Sequence, residues 1–128
     1  MFNTPPVFPI YILGKVLRWM DEAGGLSTIE KAAEEKAALL YSEIDNSRDY
    51  FRCPVHQVSR SVMNVIFRLP TPELEKQFLE ESALQGLVNL KGHRSVGGCR
   101  ASIYNGMPME SDAKLTQFMQ DICSRNPA

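Results

Sequence analysis

Between Gly92 and Ser102 the chain sets two arginines and a histidine among three glycines, in the order Gly92-His93-Arg94-Ser95-Val96-Gly97-Gly98-Cys99-Arg100-Ala101-Ser102. A guanidinium is a planar fork of N–H donors that matches the oxygens of a carboxylate or a phosphate. Glycine permits backbone conformations and close approaches closed to other residues, so such a run can bend tightly around a ligand. Arg94 and Arg100 lie six residues apart with His93 beside the first, a spacing that suits a small ligand carrying two separate anionic groups. A solvated hairpin whose arginines face water uses the same residue types. The spacing alone leaves both readings open.

The other candidate constellations carry less chemistry. Cys53-Pro54-Val55-His56 offers two possible metal ligands, but no second pair follows at zinc-finger spacing. Gly97-Gly98 lacks the continuation of a dinucleotide-binding or phosphate-binding loop. Cys99 has no histidine placed to make it a nucleophile and reads as a small buried residue. Glu80-Glu81 reads as a solvated helix face.

These residues sit in a chain of 128 residues, long enough for one domain with a proper core. Hydrophobic residues make up 44% and charged residues 23%, as in a soluble globular protein. The formal charge is −1, with no block of like charge, which argues against non-specific binding to nucleic acid or to a membrane surface. Anion recognition must therefore be local. Three widely spaced cysteines do not form a disulfide framework, no apolar run approaches the ~20 residues of a membrane span, and the opening lacks the features of a secretion signal. A cytoplasmic setting is expected.

Elements to position the loop can be read from periodicity. Pro5, Pro6 and Pro9 predict an extended opening, crowded by Phe2, Val7, Phe8, Ile10, Tyr11 and Ile12, which is expected to be buried. A helix with Leu13, Val16, Leu17 and Met20 on one face should end at Gly24-Gly25. Ser27 and Glu30 form a capping-box pattern ahead of Ile29, Ala33, Ala37, Leu40 and Ile44, a helical stripe closed by Asp45-Asn46-Ser47. Residues 48–60 read as irregular, with a short extended piece near Phe51. Met63, Val65, Phe67 and Leu69 alternate with Val62, Asn64, Ile66 and Arg68, the signature of a strand stopped by Pro70. Thr71-Pro72-Glu73 starts a helix whose buried side is Leu74, Phe78, Leu79 and Ala83 and which Gly86 ends. Leu87–Lys91 and Val96–Tyr104 predict strands around the glycine loop, and a last helix runs from about Asp112 to Cys123 with Leu115, Phe118, Met119 and Ile122 inward. The order predicts an α+β fold, a small sheet of three to four strands covered by helices.

Four stretches resemble one family: Asn3-Thr4-Pro5-Pro6, Ile44-Asp45-Asn46-Ser47, Arg60-Ser61-Val62-Met63-Asn64-Val65, and Gly92 through Asn105. The chain resembles the C-terminal third of the phosphoserine aminotransferases, pyridoxal-phosphate enzymes of serine biosynthesis with the fold of the aspartate aminotransferases. The resemblance implies an α/β enzyme, a fold-type I aminotransferase, of which residues 1–26 are the end of the large domain and a connecting helix, and residues 27–128 the C-terminal small domain. It implies that Asn3 and Thr4 reach the cofactor phosphate across a homodimer interface, that Arg100 grips the substrate α-carboxylate, and that His93 and Arg94 hold the substrate phosphate. The Schiff-base lysine and the acid against the pyridine nitrogen lie, in the family, in the large domain. None of Lys15, Lys31, Lys36, Lys76, Lys91 or Lys114 stands in a matching context, so no catalytic residue is expected here, and the chain reads as a fragment that is inactive and holds no cofactor by itself. Implied ligands are small molecules of the phosphoserine and glutamate type, with no nucleic-acid or membrane partner. A stand-alone anion-binding or dimerisation module without catalysis is the alternative. Pro9 and Gly106 depart from the family pattern without touching the proposed ligand groups.

Overall fold

A computed structural model describes residues 3–126, and the chain divides into two compact units, one up to Ala32 and one from Ala33. Phe2 lies outside the described residues. In the first unit helix α1 (Val7–Glu22) follows Pro6 directly. Pro9 is therefore helical, not extended. It is the third residue of the helix, where the backbone N–H has no intrahelical partner to lose, and the Ile10 N–H after it still reaches the Pro6 carbonyl at 3.1 Å. Contrary to the expected burial of this opening, α1 has no buried residue among those described, and Phe8 is 72% exposed. At about 100° per residue Lys15, Arg18, Asp21 and Glu22 gather on one side of the helix, and the broad apolar side opposite them is left exposed among the described residues. Helix α2 (Gly25–Asn46) begins two residues before Ser27, so the predicted capping box does not form. Gly24 and Gly25 make a turn with positive φ in its place, and the Thr28 hydroxyl donates to the Gly24 carbonyl at 3.0 Å.

In the second unit the α2 stripe is as the spacing predicts: Ala33, Ala37, Leu40 and Ile44 are all buried. Phe51, Phe67, Phe78 and Phe118 meet in a run of edge-on and tilted ring contacts with centroids 5.1–6.1 Å apart, the preferred arrangement of aromatic quadrupoles. Around them pack Leu40, Ile44, Val65, Leu69, Leu115, Met119 and Ile122. Helix α3 (Pro72–Leu84) starts on Thr71, whose hydroxyl accepts from the Leu74 N–H at 3.3 Å. It ends with Gly86 N–H on the Ala83 carbonyl and Leu87 N–H on the Ser82 carbonyl, the paired bonds of a Schellman motif. Its buried side differs from expectation at one place. Ala83 is exposed and Ser82, four residues after Phe78, is fully buried, its hydroxyl satisfied by the Leu79 carbonyl at 3.0 Å. Helix α4 (Met109–Arg125) begins three residues before Asp112 and buries the predicted Leu115, Phe118, Met119 and Ile122.

The sheet is smaller than predicted. Strands β1 (Asn64–Phe67) and β2 (Cys99–Ser102) pair antiparallel, with Ile66 opposite Arg100 and Asn64 opposite Ser102. Single bridges extend it on either side, Arg52 with Arg68 and Lys91 with Cys99. Leu87–Lys91 is not a strand because Asn89 takes a positive φ of 61°, and Val96–Tyr104 shortens because Gly97 and Gly98 do the same. Val65, Phe67, Cys99 and Ala101 face the core, leaving Asn64, Ile66, Arg100 and Ser102 on the outer face.

Candidate anion-binding site

The glycine loop closes on itself. The Gly92 N–H donates to the Gly98 carbonyl at 2.8 Å, and the Val96 and Gly97 N–H groups both donate to the His93 carbonyl. A Cβ at Gly92 would meet the Gly98 carbonyl oxygen at 2.7 Å, and one at Gly98 would meet the Phe67 carbonyl oxygen at 2.8 Å, so backbone packs on backbone and only glycine fits. The Arg68 guanidinium donates to the Val96 carbonyl and ties the loop to the end of β1.

On this frame His93 and Arg94 are exposed. His93 Nδ1 accepts from the Ser95 N–H at 3.3 Å and lies 2.7 Å from the Ser95 hydroxyl, which leaves Nε2 to carry the proton of the neutral ring outward. Arg94 has no ion pair or hydrogen bond among the described residues. With Lys91, both line a cavity of about 720 Å³ whose far wall is α3, including the Lys76–Glu80 pair at 3.8 Å. The cations of Lys91 and Arg94, the His93 imidazole and the loop backbone make this a surface for an exposed dianion such as a phosphate.

Arg100 stands elsewhere. It is half-buried on the outer face of β2, its Nε has no hydrogen-bond partner, and it makes no ion pair among the described residues. It lines a separate cavity of about 620 Å³ together with Ser102, Tyr104, Met107, Ser111 and Asp112. A half-desolvated guanidinium without its own carboxylate is suited to take one from a ligand. The structure thus brings His93 and Arg94 together and sets Arg100 in a second cavity; neither of these two cavities is lined by all three. Asn3 and Thr4 precede α1, both exposed and without hydrogen bonds among the described residues.

The sequence reading missed the polar group around Arg100. The Asn64 amide donates to the Tyr104 hydroxyl at 3.3 Å, and the Ser102 hydroxyl donates to Asn64 Oδ1 at 3.4 Å. The signal was present in the alternation of β1, which puts Asn64 on the less-buried face, but nothing local says what shares that face. Two of the stretches that carry the resemblance prove to be joined structurally. Arg60 forms a bidentate pair with Asp45, both bonds 2.7 Å, and lies over the Tyr41 ring at 4.6 Å. The pair holds the Asp45 carboxyl below its ordinary range. Cys99 is sealed in the core, which pushes its thiol up to about 12 and suits the packing role read from the sequence. Among the described residues no group of three or more His, Cys, Asp or Glu is placed to hold a metal ion, and no helix is long and apolar enough to cross a membrane.

The family model of the class-V aminotransferases matches residues 1–113. The chain belongs to that family. Within it, this aminotransferase chain is 56% identical over all 128 residues to a phosphoserine aminotransferase of Desulfotalea psychrophila, and 52% identical over 126 residues to the chloroplastic phosphoserine aminotransferase 2 of Arabidopsis thaliana. It spans 35% and 30% of those proteins' lengths, about a third. Among solved structures it matches the phosphoserine aminotransferase from Bacillus circulans subsp. alkalophilus with a TM-score of 0.92 and 51% identity, over 98% of this chain and 35% of that one. The pyridoxal-phosphate-bound phosphoserine aminotransferase from Trichomonas vaginalis matches at TM-score 0.84 and 38% identity, over 94% of this chain and 34% of that one. These likenesses bear out the α+β reading of this aminotransferase chain.

Proposed function

We propose that this chain is the substrate-binding, C-terminal part of a cytoplasmic phosphoserine aminotransferase, which exchanges the amino group between glutamate and 3-phosphohydroxypyruvate to give O-phosphoserine and 2-oxoglutarate. The observation that carries the reading is Arg100, half-buried in a cavity and without a carboxylate partner among the described residues. Arg100 holds the α-carboxylate common to both amino acids and so orients the amine. His93 and Arg94 hold the phosphate and supply the preference for phosphorylated substrates. Residues 1–26 are the end of the large domain with its connecting helix, and residues 27–128 the small domain. In the homodimer that the resemblance implies, Arg100 of one protomer and the partner's His93 and Arg94 serve the same ligand, which accounts for the two separate cavities.

The residues present include donors for the phosphate of pyridoxal phosphate, while the lysine that takes its aldehyde lies, by the resemblance, in the large domain. Asn3 and Thr4 offer exposed amide and hydroxyl donors. Lys36 is committed to three carbonyls, Lys76 pairs with Glu80, and Lys114 donates to the Gln85 carbonyl. The cofactor, when bound, supplies the electron sink for amino-group transfer; this chain's residues bind and orient.

The test is a chimera in which this sequence replaces the matching third of the Bacillus circulans enzyme. Arg100→Ala is expected to raise KM for glutamate and phosphoserine alike by about 100-fold, the loss of a charge-assisted bidentate contact. Arg94→Ala is expected to raise KM for phosphoserine about 10-fold and to leave glutamate unchanged. An unchanged preference for phosphoserine in Arg94→Ala overturns the role given to that residue.

A further inference from the structure

Lys36 is among the most buried charged side chains described, 3% exposed, and it has no carboxylate within ion-pair distance among the described residues. Its ammonium spends all three N–H groups on backbone carbonyls, those of Ile103 at 3.0 Å, Tyr104 at 2.8 Å and Met107 at 3.0 Å. Desolvating a lysine is tolerable only where fixed dipoles replace its water shell, and this one is solvated wholly by a single turn, the one that leaves β2 and leads into α4. The same three residues, Ile103, Tyr104 and Met107, line the cavity shared with Arg100. Asp112, whose carboxyl feels the Lys36 charge, lines it too. Lys36 is therefore the hub behind one wall of the Arg100 cavity, reaching it from α2 across 67 residues of sequence.

The wall needs such a hub. Beyond Arg100, whose N–H donates to the Leu90 carbonyl at 2.7 Å, the outer edge of β2 has no further bridge among the described residues. The exit of the strand is fixed by the Ile103 N–H on the Met63 carbonyl at 2.9 Å and by the lysine. Tyr104, pinned through its carbonyl, carries its hydroxyl to Asn64 on the outer face of the sheet, two residue pairs along from Arg100.

We propose that Lys36 is a positioning residue for substrate binding: it fixes the turn 103–107 and with it the aim of Arg100. This rests on the carboxylate-binding role given to Arg100 above. The test uses the same chimera with Lys36→Met, which keeps the volume and removes the charge, and Lys36→Gln, which keeps an amide donor and guards against a failure of the first variant to fold. Each is expected to raise KM for glutamate and phosphoserine together, about 10-fold or more, with kcat changed less than about threefold, since misplacing a binding group by about 1 Å can cost up to about 100-fold. Lys36→Gln is intermediate. In the Arg100→Ala background Lys36→Gln is expected to change KM no further, because the two act through one contact. Folded Lys36 variants with a lowered Tm and unchanged KM overturn the inference and leave Arg100 standing, as does full additivity in the double variant. An Arg100→Ala variant with unchanged KM removes the underlying reading, and the inference with it.

Discussion

Asp112 gives the sharpest test of the energetics. It lies in the first turn of α4, 2% exposed, with Oδ2 lacking any hydrogen-bond partner. A carboxylate in a first helical turn is ordinarily favoured by about 0.3–1 kcal/mol through the helix dipole. Here burial outweighs that and the nearby Lys36 ammonium, raising the carboxyl from its ordinary 3.8 to about 6. Because the folded state holds its proton more tightly than the unfolded state, the contribution of Asp112 to stability is fully present below pH ~3.8 and is lost as pH rises through about 6. At about 1.4 kcal/mol per pH unit, ionising the buried carboxyl costs about 3 kcal/mol in total. Roughly half of that loss falls between pH 5 and pH 8. Asp112→Asn imitates the protonated acid at every pH. The free energy of unfolding from urea titrations should therefore show the variant gaining on the parent by on the order of 1 to 2 kcal/mol between pH 5 and pH 8, other titrating groups cancelling in the difference. A difference that is flat in pH, or that moves the other way, refutes the account of Asp112 as a desolvated acid.

Two further outcomes follow from other parts of the molecule. Phe78 is fully buried and touches three other rings, so Phe78→Ala should lower stability by about 4 kcal/mol and Phe78→Leu by distinctly less, read from urea midpoints with unchanged slope; a loss below about 1 kcal/mol for the alanine would contradict the central place given to it. If the partner's loop completes each substrate site, mixing the Arg100→Ala and Arg94→Ala chimeras under subunit exchange should restore up to about a quarter of parental activity, since half the dimers are mixed and each mixed dimer has one intact site. Activity no higher than the mean of the separate variants would place both contacts in one protomer.

Much of the fold was legible because it follows from local chemistry. The α2 stripe, the Thr71 cap with Pro72, the alternation through Val65 and Phe67 and the inward face of α4 each state their own burial. Two of the misreadings share a physical cause, which is that a backbone turn overrides the local pattern. The turn at Gly24 and Gly25 displaces the Ser27 cap, and Asn89 bends what its neighbours would make a strand. Ser82 replaces Ala83 inside because a buried hydroxyl can satisfy itself on the preceding turn of its own helix. The site was legible in its residue types but not in its grouping. Arg94 and Arg100 are near in sequence, yet the closed loop between them turns one toward α3 and the other toward α4. Lys36 gave no signal at all, since a lysine on a helix reads as solvated until the turn it serves, 67 residues on, is in view.

The neck of the His93–Arg94 loop has its own bearing on how specificity can change. Where Gly92 and Gly98 meet there is room for hydrogen and nothing larger, so that point admits no variation without prising β1 from the loop. The rim from His93 to Val96 carries no such restriction, being exposed throughout. On the proposed role of His93 and Arg94, substitutions there exchange one anionic ligand group for another, or for none, while the hinge beneath stays shut. The loop thereby separates a rim that tolerates substitution from a neck that keeps the chain folded.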